Sequence, residues 1–150
     1  MKFLTFYLLI LTYLSASTLN LSMSSSPSRL NPILANDSAS SEISDWLFSG
    51  LFKYDKDGNP TVDLAKSYNF ETPTKLIIKL RDDVLWHDKE KFTSKDIIFT
   101  YEKIIDPKVF NSIKSNFKEV ESVKATDDYT IEVVYKKPYF KALETWMVGI

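Results

Sequence analysis

Cysteine is absent from this 150-residue chain, and histidine occurs once, at His87. Without thiols there is no disulfide framework, no thiolate nucleophile and no cysteine to carry an N-terminal lipid. One imidazole and no thiolate cannot assemble the usual zinc ligand sets within one copy of the chain. Glycine is nearly as scarce: Gly50, Gly58 and Gly149 are all there is, so neither a dinucleotide fingerprint nor a phosphate-binding loop can be written. Charge of one sign is lacking too. The formal net charge is −1, and no stretch interleaves Lys or Arg with stacking aromatics, which argues against a nucleic-acid partner. No cofactor is implied.

What is present is apolar. The hydrophobic share is 44% and the aromatic share 14%, enough for one packed domain rather than a disordered tail. Residues 1–17 have the pattern of a secretory signal peptide: Lys2 as the positive start, an apolar run from Phe3 to Leu14, and small Ser15-Ala16-Ser17 for cleavage. The competing reading is an uncleaved anchor, since no charged residue stands between Phe3 and Ser28. Both place the remainder outside the cytoplasmic membrane. Residues 18–28, rich in Ser and ending near Pro27, read as a flexible linker.

The clearest local signal is Leu80 to Pro107. Leu76, Ile78 and Leu80 alternate with Ile77, Lys79 and Arg81, the period of a strand with one buried face. Ile97, Ile98, Tyr101, Ile104 and Ile105 recur at helical spacing, Thr93 and Asp96 supply a capping box, and Asp106-Pro107 ends the helix. A strand therefore turns into a helix between Arg81 and Phe92. Upstream, a polar loop from Asn36 to Ser41 leads to an expected amphipathic helix over Glu42 to Phe52, with Gly50 near its end and Trp46 packed on its buried face. Tyr54 to Pro60 is a hairpin turn. Its Asp55, Asp57 and Asn59 resemble the first half of a calcium loop, but Pro60 and Lys66 occupy the positions that need Gly and Glu. A turn at Glu71 to Thr74 precedes the strand. Downstream, Phe110 and Ile113 anchor an irregular stretch, Phe117 to Lys124 and Tyr129 to Tyr135 form a hairpin turned by Asp127-Asp128, and Phe140 to Ile150 places Leu143, Trp146 and Met147 at helical spacing. An uncapped apolar helix there would leave surface unburied, so the chain is expected to be truncated.

Chemistry is sparse. His87-Asp88 is the only acid/base candidate, and neighbours in an extended segment point to opposite faces, so a turn histidine satisfied by backbone is the stronger reading. Asp82-Asp83 and Asp127-Asp128 read as turn residues. A secreted hydrolase using His87 and a membrane-tethered interaction module remain as readings from other classes. On the residues alone, the protein is a secreted mixed α/β module.

Beyond that point the wording of the motifs carries more. Leu80, Arg81, Val84, Trp86, His87, Asp88, Phe92, Thr93 and Asp96, continuing through Phe99, Tyr101 and Asp106-Pro107, resemble the signature of the family 5 extracellular solute-binding proteins, the periplasmic peptide, dipeptide and nickel receptors of ABC importers. Leu30-Asn31-Pro32 resembles the family's opening strand motif, and Leu47 to Leu51, Leu64 to Tyr68, Val123 to Val133 and Lys137-Pro138 agree in order and spacing. The family has glycine where Asp83 stands and Asp-Gly where Asp88-Lys89 stands. The turn must then form without its most permissive residue, and Lys89 is the poorer substitute.

The resemblance implies that residues 29–150 are the N-terminal portion of lobe I of a two-lobed periplasmic binding protein, incomplete. It implies a non-enzymatic monomer that captures a peptide, or alternatively nickel or another small solute, and hands it to ABC permease subunits in the cytoplasmic membrane. The loop Asn36, Asp37 and Ser38 matches a segment that runs beside the ligand in peptide-binding members and can pair with it as an extra strand. These three residues are the expected ligand contacts.

Overall fold

The computed structural model describes residues 20–150. The expected signal peptide, and with it the choice between cleavage and anchoring, lies outside the described residues. No helix among the described residues is long and apolar enough to cross a membrane.

The centre is a four-stranded antiparallel sheet in the order β3-β4-β6-β5, built from β3 (Ala65–Thr72), β4 (Lys75–Leu80), β5 (Val120–Asp127) and β6 (Thr130–Tyr135). In β4 the alternation places Leu76, Ile78 and Leu80 in the core, and β6 matches it with Ile131 opposite Ile78 and Val133 opposite Leu76. The other face carries charge, with Lys75 bridging Glu71 and Glu132 at 2.9 and 2.8 Å. Helix α2 (Ser94–Ile105) covers the apolar face through Ile97 and Ile104. Its start is fixed by the expected capping box, in which the Thr93 N–H donates to the Asp96 carboxylate at 2.7 Å. A separate ribbon of β1 (Phe52–Tyr54) and β2 (Pro60–Val62) is joined by the Tyr54 to Pro60 turn. There the Asp55 carboxylate accepts the N–H groups of Asp57 and Asn59, and Gly58 takes φ +80°.

Several expectations are corrected. Helix α1 runs Ser38–Leu47, so it begins inside the loop expected from Asn36 to Ser41 and ends well before Phe52. Beyond it, Phe48 to Leu51 is drawn out by tertiary hydrogen bonds: Leu51 N–H donates to the Trp146 carbonyl, Ile150 N–H to that of Ser49, and Asp63 and Ala65 N–H to that of Leu51. Trp46, expected to pack, is 60% exposed, because the helix buries small Ala39, Ser40 and Ser44 instead. Leu30-Asn31-Pro32, expected to open a strand, instead leads into a turn over Pro32 to Leu34, closed by the Leu34 N–H donating to the Asn31 carbonyl. Strand β3 occupies a segment with no clear sequence assignment, and its turn tightens to Pro73-Thr74. Strand β5 starts at Val120, since Phe117 belongs to a 3-10 turn at Ile113–Phe117. Phe110 anchors nothing at 91% exposed.

The last segment is also irregular. Only Glu144–Met147 winds, as a 3-10 turn, and Trp146 itself has non-helical angles. The apolar surface there is not left open: Ala142, Trp146 and Ile150 all join the core. Gly50 makes this possible, because a Cβ on it would lie 2.7 Å from the Met147 backbone.

Candidate functional site

Of the three expected ligand contacts, Asn36 and Ser38 are exposed and Asp37 is half-buried. Asp37 is the N-cap of α1, and its side chain has a defined set of partners. Oδ1 accepts the Ser40 N–H at 2.8 Å, while Oδ2 accepts the Ser40 hydroxyl at 2.7 Å and the Ser28 hydroxyl at 2.5 Å. The Ser28 hydroxyl first, then the hydroxyl and amide of Ser40, hold the Asp37 carboxyl down at about 2, since each bond favours the charged form. Asp is a favoured N-cap residue, but with the helix expected only from Glu42 this cap was not read from the sequence. Ser28 was not either, because it reaches the site from the Ser-rich segment nine positions earlier.

Beside this loop an open cleft of about 340 Å³ is walled by residues that include Pro32, Ala35, Ser41, Asp45, Asn116 and Glu144. None of Asn36, Asp37 and Ser38 lines it. A neighbouring cleft of about 390 Å³ shares Asp45, Met147 and Gly149 and extends to Lys53 and Tyr54. Desolvation first and the Glu144 carboxylate second push the Tyr54 hydroxyl above its ordinary range, as a nearby anion disfavours the phenolate.

His87 lies elsewhere. It is exposed, in the turn closed by the Leu85 and Lys91 bridge, at the rim of a small apolar pocket lined in part by Leu47, Phe48, Trp86 and Phe92. The turn position is as expected, but among the described residues no backbone group bonds to the His87 side chain, and the residue is exposed. Asp88 turns its carboxylate to the Glu90 N–H at 3.0 Å, so it serves the turn. Lys89 takes φ 76° there, in the place where the resembling family has glycine. Among the described residues no group of three or more His, Cys, Asp or Glu side chains is placed to hold a metal ion.

Residues 59–148 match the family model described as bacterial extracellular solute-binding proteins, family 5 Middle. The chain belongs to that family. Among its relatives, the periplasmic oligopeptide-binding protein OppA of Escherichia coli is 30% identical over 122 residues, covering 69% of this chain and 22% of that protein. The glutathione-binding protein GsiB of Pectobacterium atrosepticum is also 30% identical, over 73% of this chain and 22% of its own length. Among solved structures, NikZ of Campylobacter jejuni in complex with Ni(L-His) superposes with a TM-score of 0.72 at 34% identity, over 81% of this chain and 24% of that one. AppA of Bacillus subtilis in complex with a nonapeptide superposes at 0.74 with 25% identity, over 83% of this chain and 25% of that one. The chain thus spans about a quarter of the length of the relatives it matches.

Proposed function

We propose that this chain is part of the substrate-binding component of an ABC importer, located outside the cytoplasmic membrane, and that its ligand is a peptide. The loop Asn36, Asp37 and Ser38 lies along the ligand and recognises it chiefly through backbone, a mode that tolerates varied side chains. The rest of the binding surface comes from parts of the protein that this chain does not include. Binding favours a closed arrangement, and the difference in affinity between open and closed forms drives the shift. The loaded protein, a monomer, then docks on its permease. No bond is made or broken in this sequence of events, and no catalytic residue is assigned.

The observation that carries the reading is the family match over residues 59–148, together with a relative named for oligopeptide binding at 30% identity. The lone His87 is exposed in its turn and lines a different pocket from the cleft beside the loop, which speaks against metal capture by this portion. A nickel chelate is nonetheless the second reading, because the NikZ structure holding Ni(L-His) is 34% identical to this chain. Native mass spectrometry of the intact protein, purified without refolding, separates the two. Co-purified oligopeptide masses support the first; a nickel-histidine adduct with no peptide overturns it in favour of the second.

A further inference from the structure

Ser40 is completely buried, yet three groups converge on its hydroxyl. Its proton goes to Asp37 Oδ2 at 2.7 Å. That direction frees both lone pairs of the oxygen, and these take the N–H of Ser28 at 2.9 Å and the N–H of Arg29 at 3.1 Å. The Ser28 hydroxyl returns to the same Asp37 oxygen. One helical turn further along, the Ser44 hydroxyl donates to the Leu30 carbonyl at 3.1 Å. Three consecutive residues of the incoming chain, Ser28 to Leu30, are therefore held by backbone groups to two serines on one face of α1. Small side chains at Ala39, Ser40 and Ser44 are what α1 buries, and their size allows the strap to lie close.

We infer that Asp37 and Ser40 are positioning residues: they form a polar clasp that straps Ser28 to Leu30 onto α1 and sets the backbone of Asn36 to Ser38, leaving Asn36 and Ser38 as the groups that face outward. The Asp37 side chain is then committed to holding the loop and leaves only its backbone to the ligand. This functional consequence rests on the peptide reading, whereas the clasp itself does not.

Ser40→Ala tests the clasp selectively. Alanine keeps the amide that Asp37 caps and favours the helix, so only the shared hydroxyl is removed. Hydrogen exchange of the purified chain should show the Ser28 and Arg29 amides, and those of Asn36 to Ser38, exchanging about tenfold faster, the effect of losing one or two hydrogen bonds, with the far-ultraviolet dichroism of the helices unchanged. Asp37→Asn is the second variant. It keeps a cap acceptor but withdraws the carboxylate oxygen shared by the two hydroxyls, and it should loosen the same amides. Unchanged exchange at Ser28 and Arg29 in both variants overturns the inference. Because this readout needs no ligand, a protein that captures no peptide would sink the peptide reading without touching it.

Discussion

The Trp146 indole N–H donates to the Tyr135 hydroxyl at 3.0 Å, and that hydroxyl donates in turn to the Ala142 carbonyl at 2.7 Å. Both rings are all but inaccessible. The relay fastens the last segment of the chain to the end of β6, and burial pushes the Tyr135 hydroxyl well above its ordinary range. Trp146 also meets Phe117 edge-on at 5.4 Å and lies beside Tyr101, so it links the sheet, α2 and the C-terminal segment.

Tyr135→Phe keeps the ring and removes the relay. It leaves a buried indole N–H and a carbonyl without their partner, and should cost about 2 kcal/mol of stability in urea unfolding. Trp146→Ala, which empties the same place, should cost about 3–5 kcal/mol. Equal and negligible effects from both would mean that the segment does not pack as described.

At Lys89 the backbone is left-handed, with φ 76°, in a turn fixed by the Trp86 and Glu90 backbone bond at 2.8 Å. Lys89→Gly removes the Cβ conflict, at some entropic cost in the unfolded chain. The net gain should be about 0.5–1 kcal/mol, read as a higher urea midpoint with unchanged slope. A destabilised Gly variant would contradict the assigned geometry.

Gly50→Ala should do the reverse. The added methyl would lie 2.7 Å from the Met147 carbonyl carbon and oxygen, both backbone atoms with no rotamer to yield. A loss of about 1–3 kcal/mol is expected. Gly58→Ala meets open space but keeps φ +80°, so its smaller loss of about 1 kcal/mol would come from backbone conformation alone.

Asp37 gives a pH dependence whose sign is fixed. Its carboxyl falls from the ordinary 3.8 to about 2 in the folded chain, so the folded state favours the charged form. The stabilisation is fully present above the ordinary value and is lost as pH falls through the folded one, between about 4 and about 2. Carbon-detected NMR titration of the Asp37 carboxyl should give a midpoint near 2, and in Ser40→Ala a midpoint shifted upward. A wild-type midpoint at the ordinary value would mean that the three hydrogen bonds are absent in solution.

Where period and cap agreed, the structure could be read from residues. Leu76, Ile78 and Leu80 on β4 and the Thr93 and Asp96 start of α2 stand where local pattern puts them, and the β5–β6 hairpin forms with its turn one residue later than read, at Asp128-Tyr129. The two helices expected to run through Phe52 and through Ile150 failed for one cause. Leu47, Leu51 and Phe52 are spaced like one helix face, and so are Leu143, Trp146 and Met147. Yet the two segments meet each other through Leu51 with Trp146 and Ile150 with Ser49, and a helix in either would forfeit those bonds. Long-range pairing of this kind leaves no periodic trace. At the loop, neither the Asp37 cap nor the Ser28 clasp was read: the helix was expected only from Glu42, and any of several serines in the upstream stretch would have served as well.

Isothermal titration of the intact protein, against oligopeptides of one length but differing side chains and against a nickel-histidine chelate, bears most directly on the proposed role. Backbone-led capture predicts binding at about micromolar or tighter for most of the peptides, with little dependence on side chain and no heat from the chelate. Binding of the chelate alone would contradict it.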